Sequence, residues 1–341
     1  MGQIEDRKNL APNGRRHAQG QKVRRNITTL VGALVAGLIL AACIPLRAAH
    51  GSGQAAKVPP KLQFDQKNAW AHLVKQCDFG PRVPGTDAHI KTRDWIADEM
   101  RKNTQNVRLQ EFSHKWSKTG KEVKMWNIIG EQNWGKGKKN IVLLAHWDSR
   151  PYANEDPNPA NRSKPVLGAN DGASGVAVLL ELMRVMKDRN PDLGILYLMT
   201  DGEDLGPETD EMFLGAVHFA KNLPTPKPDY GILLDMVGSK NARIAIEMNG
   251  FASMPERVRA FYRAAQLGGF GRTFPNEYGQ SISDDHLALI GAGIPTMDLI
   301  DFENLGNWHT ITDTPENSSA DSLGQVGKAV ESWLISPAAI K

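Results

Sequence analysis

Cysteine is nearly absent from this 341-residue chain: there are two, Cys43 and Cys77. That excludes a disulfide framework, rules out any intrachain disulfide if Cys43 is lipidated, and leaves the hydrophobic core to hold the fold, for which the length is sufficient. Cys77 has no base marked beside it and reads as a small buried residue. Aromatic residues make up only 7%, and no low-complexity block stands out beyond one short tether. Excess charge of one sign is also lacking. The net charge is +3, but residues 1–42 carry seven Lys/Arg against two Asp/Glu, so the remainder is mildly acidic. Nothing in that balance proposes nucleic acid as a partner.

The one long apolar run, Ile27 to Ile44, follows a basic flank ending at Arg24-Arg25. Basic flank, apolar core and small residues form the export pattern. Leu40-Ala41-Ala42-Cys43 resembles a bacterial lipoprotein box, which would make Cys43 the lipidated N-terminus. Two rivals are a retained membrane-spanning helix, for which the run is nearly long enough, and release by cleavage near Ala48-Ala49. We expect 1–42 to be a leader or anchor, 43–60 an Ala/Gly/Pro-rich tether, and 61–341 a single catalytic domain. The expected location is the cell envelope outside the cytoplasm, with membrane contact only through the N-terminal anchor.

Past the tether, helical patterns at 68–76 and 89–102 precede two alternating strands, 107–113 and 123–130, which suggest an antiparallel hairpin at a sheet edge. Strands then become apolar throughout: 140–145, 193–199, 230–236 and 295–300, with a further strand at 243–248. Helices are expected at 174–189, 211–221, 254–267, 284–291 and 321–336. Continuous apolar strands alternating with helices imply a three-layer αβα fold, its sheet mixed, mostly parallel and antiparallel at one edge.

Polar residues follow these strands in a consistent way. Ile141 to Ala145 delivers His146 and Asp148, Ile195 to Met199 leads to Glu203-Asp204, Ile232 to Leu234 ends at Asp235, and Pro295 to Ile300 leads toward Trp308-His309-Thr310. Ligands of open α/β sheets bind just past the carboxyl ends of strands. Asp171 lies in Gly168-Ala169-Asn170-Asp171-Gly172, whose small residues let backbone and a metal approach closely. Alone it reads equally as a helix cap. With His146 and the acid pair it reads as part of a zinc site of oxygen and nitrogen donors. A capping role is the plain alternative for one aspartate of Asp284-Asp285-His286, and a solvated acidic loop accounts for Glu208, Asp210 and Glu211. His72, His89, His114 and His218 sit in amphipathic or exposed contexts and carry no role.

From about Phe79 to Thr314 the chain resembles the M28 metallopeptidase clan, through His146-x-Asp148, Asp171, Glu203-Asp204, Asp235 and His309. Within the clan it resembles the zinc-dependent glutaminyl-peptide cyclotransferases, through Phe79-Gly80-Pro81-Arg82-Val83-Pro84-Gly85, Leu233 to Gly238, Asp284-Asp285-His286 and Trp308-His309-Thr310. The resemblance implies one Zn2+ held by Asp171, Asp204 and His309, with Glu203 as general acid/base. It implies that Asp235 and Asp284 hydrogen-bond around that glutamate and the substrate amine, and that Trp308 walls the glutamine pocket. Peptide and protein N-termini would be the substrates and pyroglutamyl peptides the product. Three departures bear on pocket shape: aspartate rather than histidine at Asp298, no cysteine pair beside the first ligand strand, and no tryptophan between Leu205 and Glu211. The alternative is a di-zinc aminopeptidase with Asp171 bridging and His146 and Asp235 completing a second site. A binding protein that kept the fold without catalysis is a third class, against which Glu203 argues.

Overall fold

Four strands of this chain are apolar at successive positions because both faces of their sheet are covered. The computed structural model describes residues 61–190 and 192–341. The leader, the lipoprotein box and the tether lie outside the described residues. In chain order the elements are α1 (Gln66–Asp78), α2 (Asp87–Asn103), β1 (Gln105–Trp116), β2 (Lys121–Gln132), β3 (Lys139–His146), α3 (Ala173–Met186), β4 (Leu193–Thr200), α4 (Leu214–Lys221), β5 (Tyr230–Asp235), α5 (Met248–Ser253), α6 (Pro255–Leu267), α7 (His286–Gly291), β6 (Thr296–Ile300) and α8 (Ala320–Leu334). Among the described residues no helix is long and apolar enough to cross a membrane.

The sheet order is β1-β2-β4-β3-β5-β6. β3, β4, β5 and β6 run parallel, whereas β1/β2 and β2/β4 pair antiparallel. This is the mixed αβα sheet expected, with its antiparallel edge where the alternating strands placed it. Alternation persists inside the apolar strands. Ile141, Leu143 and Ala145 join one core with α1, α2, α3, α6 and α8. Val142 and Leu144 join a second core with Ala216 and Phe219 of α4 and Leu289 of α7. Every residue of β4 is buried, so its strand pattern shows no polar face.

Two elements differ from expectation. Residues 243–248 are no strand of the sheet. Ile244 and Ile246 are buried as the alternation implied, but they pair with a loop: Ile244 N–H donates to Thr273 O at 2.7 Å and Ile246 N–H to Glu277 O at 2.8 Å. Alternation reports two unlike faces, not which backbone supplies the partner. The helix expected from 254 is preceded by a separate short one, α5, and α6 starts at Pro255, whose missing N–H costs nothing in the first turn.

Candidate metal centre and active site

β3 connects through α3 to β4 on one side of it, while β5 connects onward to β6 on the other. The rim between β3 and β5 is therefore a topological switch point, where open α/β sheets bind ligands. His146 ends β3 and Asp235 ends β5. Their side chains meet across this crevice, His146 Nε2 lying 3.1 Å from Asp235 Oδ1.

Asp171 stands between two imidazoles. Its Oδ1 is 3.0 Å from His146 Nε2 and its Oδ2 is 3.5 Å from His309 Nε2. His309 Nε2 is also 3.3 Å from Asp204 Oδ1. Donor atoms of Asp171, Asp204 and His309 all lie within 4.8 Å of one another, as do those of His146, Asp171 and Glu203. All five residues are buried. Asp204 Oδ2 and His309 Nδ1 have no hydrogen-bond partner, which is costly for buried polar atoms. Two carboxylates and one imidazole form a donor set suited to zinc, and an unsatisfied carboxylate oxygen is what an ion would occupy. The residues present fit that metal.

The loops carrying these groups are tightly specified. Asp171 does not cap α3: the cap position is Gly172 and no side chain bonds there. A Cβ at residue 172 would lie 2.4 Å from His146 Nε2, and Gly168, at φ +70°, leaves no room beside Asp171 O. Asp148 accepts from the Glu203 N–H at 3.2 Å and the Asp204 N–H at 3.1 Å, so the first motif positions the acid pair of the second. His309 is held at φ +52°, sparsely populated for residues other than glycine. Trp308 stacks on it at 3.9 Å between ring centroids and meets Phe302 edge-on. Asp171 and Trp308, with Met236, Asn307 and Asp313, line a cavity of about 210 Å3.

The acids are shifted in opposite directions. Burial, with the nearby charges of Asp204, Asp284 and Asp285, pushes Glu203 well above the usual range, against the opposing pull of His146. Asp284 is likewise raised, by burial and then by Asp298, Asp235 and Asp285. Asp204 goes the other way: burial opposes its charge, but His309 and Arg150 hold it below the ordinary range. Burial lowers His146, yet Asp235 and Glu203 outweigh it and leave the imidazole well above its ordinary value.

All the residues singled out from the sequence thus gather at one rim: Asp171, Asp204, His309, His146, Glu203 and Asp235, with Trp308 at the cavity and Asp284 within electrostatic reach of Asp235. Asp285 occupies the cap position of α7 without a capping bond and instead accepts a hydrogen bond from Thr200. Cys77 is buried and its thiol is pushed up to about 11, chiefly by burial, so it is no nucleophile.

Several supporting residues were missed. Arg82 is fully buried and donates to three carbonyls, Trp147 O at 2.9 Å and Leu167 O and Gly168 O at 2.6 Å each, bracing the two ligand loops against one another. Its signal was present in the Gly/Pro-rich Phe79–Gly85 segment. Asp313 accepts from the backbone N–H of Asn170 and of Asp171, and Arg150 donates to Asp204 Oδ1. Nothing near Asp313 in the sequence marks it. His89, expected in an amphipathic or exposed context, is fully buried. It contacts Asp201 Oδ2 at 2.9 Å and stacks on Trp147 at 4.4 Å. Glu211, expected in a solvated loop, is buried because its carboxylate accepts from Ser117 N–H at 2.6 Å and Ser117 Oγ at 2.7 Å.

The model of peptidase family M28 matches residues 127–334. A Zn-dependent exopeptidase from Parabacteroides distasonis superposes with a TM-score of 0.76 at 36% identity, covering 82% of this chain and 99% of that one. Tannerella forsythia glutaminyl cyclase gives a TM-score of 0.75 at 36% identity, covering 79% and 97%. The glutaminyl-peptide cyclotransferase of Bos taurus is 26% identical over 61% of this chain, and the match spans 65% of its own length. The match to the family model and the cluster of metal-ligand side chains at the switch point agree: this chain belongs to peptidase family M28.

Proposed function

We propose that the chain is a zinc-dependent glutaminyl-peptide cyclotransferase, closing an N-terminal glutamine to pyroglutamate with release of ammonia. The reading is carried by the buried Asp171/Asp204/His309 cluster, whose Asp171 lines a cavity of only about 210 Å3 beside Trp308. Pockets that bury drug-sized ligands run to roughly 300–1,000 Å3, so this one suits a single side chain. Activity on N-terminal glutamine is the activity named for the bovine and Tannerella relatives.

Asp171, Asp204 and His309 would hold the zinc, which would supply a Lewis acid for the side-chain amide carbonyl. Glu203, buried and with its carboxyl raised well above the usual range, carries the proton: it accepts one from the α-amine as the nitrogen bonds to the side-chain carbonyl carbon, and returns one to the departing ammonia. Asp235 and Asp284 receive the amine and orient it, and Trp308 excludes water from the glutamine side chain. Enclosure brings amine and carbonyl together at the cost of rotational freedom already lost on binding. In this reading one ion is held by Asp171, Asp204 and His309, and His146 Nε2 and Asp235 Oδ1, 3.1 Å apart, pair with each other. For the location, we infer from the basic-flanked apolar run and the Cys43 box that the chain is exported and lipid-anchored.

A second reading rests on Asp171, whose two oxygens face His146 and His309 separately, as a carboxylate bridging two ions would. That is the di-zinc aminopeptidase. Incubating the protein with Gln-initiated and Leu-initiated peptides and following mass separates the two. Loss of one ammonia from the Gln peptide alone, with one zinc per chain, is expected. Release of the N-terminal residue from the Leu peptide, with two metals per chain, would make the enzyme an aminopeptidase.

A further inference from the structure

A third group of buried ligand-type side chains lies apart from the zinc cluster. Glu247 caps α5, His286 opens α7, and Asp298 lies in β6. Their side chains are at most 1% exposed. The Glu247 carboxylate is firmly anionic, accepting backbone N–H groups of Asn249 at 2.8 Å, Gly250 at 2.6 Å and Ile282 at 3.0 Å. His286 presents opposite ring edges to two carboxylates, Nε2 at 3.3 Å from Glu247 Oε2 and Nδ1 at 3.7 Å from Asp298 Oδ2. Neither His286 nitrogen and neither Asp298 oxygen has a hydrogen-bond partner. A single ion takes one nitrogen of an imidazole, whereas here each nitrogen serves a different carboxylate. The arrangement is that of a charge bridge.

Asp298 also connects to the active site. It pairs in register with Leu233, two residues from Asp235 and on the same face of the sheet. A buried carboxylate without donors is strongly disfavoured unless a counter-charge sits beside it. We propose that Glu247 and His286 form a buried relay that holds the Asp298 carboxylate in place and thereby fixes the surroundings of Asp235 and Asp284. They are positioning residues: neither touches substrate. Only the activity arm of the following test rests on the cyclisation reading.

Removing one partner of a buried ion pair strands the other, while removing both is nearly neutral. The test is a double-mutant cycle in the full chain with His286→Gln, Asp298→Asn and the pair, reading the urea midpoint, zinc content and kcat/KM on a Gln-initiated peptide. His286→Gln is expected to lower the urea midpoint and to cut kcat/KM about tenfold or more. Adding Asp298→Asn is expected to restore most of both, with zinc content unchanged in all variants. Additive losses, the behaviour of independent sites, would overturn the relay. So would loss of one metal equivalent in either single variant, which would make the cluster a second metal site. Restored stability with activity still absent would refute the positioning role. Should His286→Gln fail to fold, the double variant decides: it folds if the relay is right, and its failure overturns it. A wild-type chain inert toward Gln peptides would sink the cyclase reading while the urea arm still judges the relay.

Discussion

Glu203 and Asp204 are neighbours in sequence, and their carboxyls are shifted in opposite directions. Both are buried, but Asp204 faces His309 and Arg150, while Glu203 adds to the charges of Asp204, Asp284 and Asp285. Metal ligation needs a carboxylate that stays ionised, and proton transfer needs one that does not. Glu203→Gln is therefore expected to keep full zinc content by elemental analysis while turnover falls about 10²–10⁴-fold; turnover within a few-fold of wild type would remove Glu203 from the reaction. Asp285 gives a pH signature of another kind. Burial lifts it to about 7 from an ordinary value of 3.8. Below about pH 4 both folded and unfolded chains carry its proton, and between about 4 and 7 only the folded chain does, so its stabilising contribution falls as pH rises through that window. Asp285→Asn should flatten the stability–pH slope there by roughly 1 kcal/mol per pH unit, read from urea midpoints at pH 5, 6 and 7. An unchanged slope would show that Asp285 is ionised in the folded state. The gathering of Glu203, Asp204 and Asp171 at one rim was legible because each follows an apolar strand or lies in a glycine-rich turn. That of Asp313 was not, since it acts through contacts with a loop more than a hundred residues away.

At the scale of elements, the strand ends place the donors and two loops aim them. Apolar runs announced β3, β4, β5 and β6, and alternation announced β1 and β2, because those patterns follow from how many faces each strand buries. The same reasoning misplaced residues 243–248, where alternation was real but the partner was a loop, and it marked the Phe79–Gly85 segment without showing that the segment carries Arg82 to the carbonyls of the two ligand loops. Arg82 holds Trp147 O, Leu167 O and Gly168 O with one planar fork. Lysine carries a point charge and cannot reproduce that geometry. Arg82→Lys is expected to leave two buried carbonyls unpaired and to loosen the His146 and Asp171 loops relative to each other. Partners behind metal ligands typically contribute 10–100-fold in affinity. Zinc affinity measured by competition with a chromophoric chelator should fall by about that factor, and retention of wild-type affinity would show that the loops hold themselves.

For the molecule as a whole, the site is a concentration of buried negative charge that folding alone does not compensate. Asp171 is raised by burial and by Asp204, and Asp298, Asp284 and Asp285 are raised as well. Such groups oppose folding unless something neutralises them. The Asp171/Asp204/His309 donors come from segments spread over more than a hundred residues, so a metal that binds them stabilises the folded state and not the unfolded one. At a free concentration of 100 times Kd the stabilisation is about 2.7 kcal/mol. Chelation is therefore expected to lower the unfolding midpoint of the wild-type chain, and zinc to restore it. Asp171→Asn separates the two contributions. It removes one disfavoured charge and with it a ligand, so the metal-free variant should be at least as stable as the metal-free wild type, and zinc should no longer raise its midpoint. Calorimetry of both chains, each with chelator and with zinc, reads all four states. If Asp171→Asn instead destabilised the metal-free chain and left the zinc response intact, Asp171 would be an ordinary structural hydrogen-bonding group, and the ligand set would have to be sought among His146, Glu203 and Asp235.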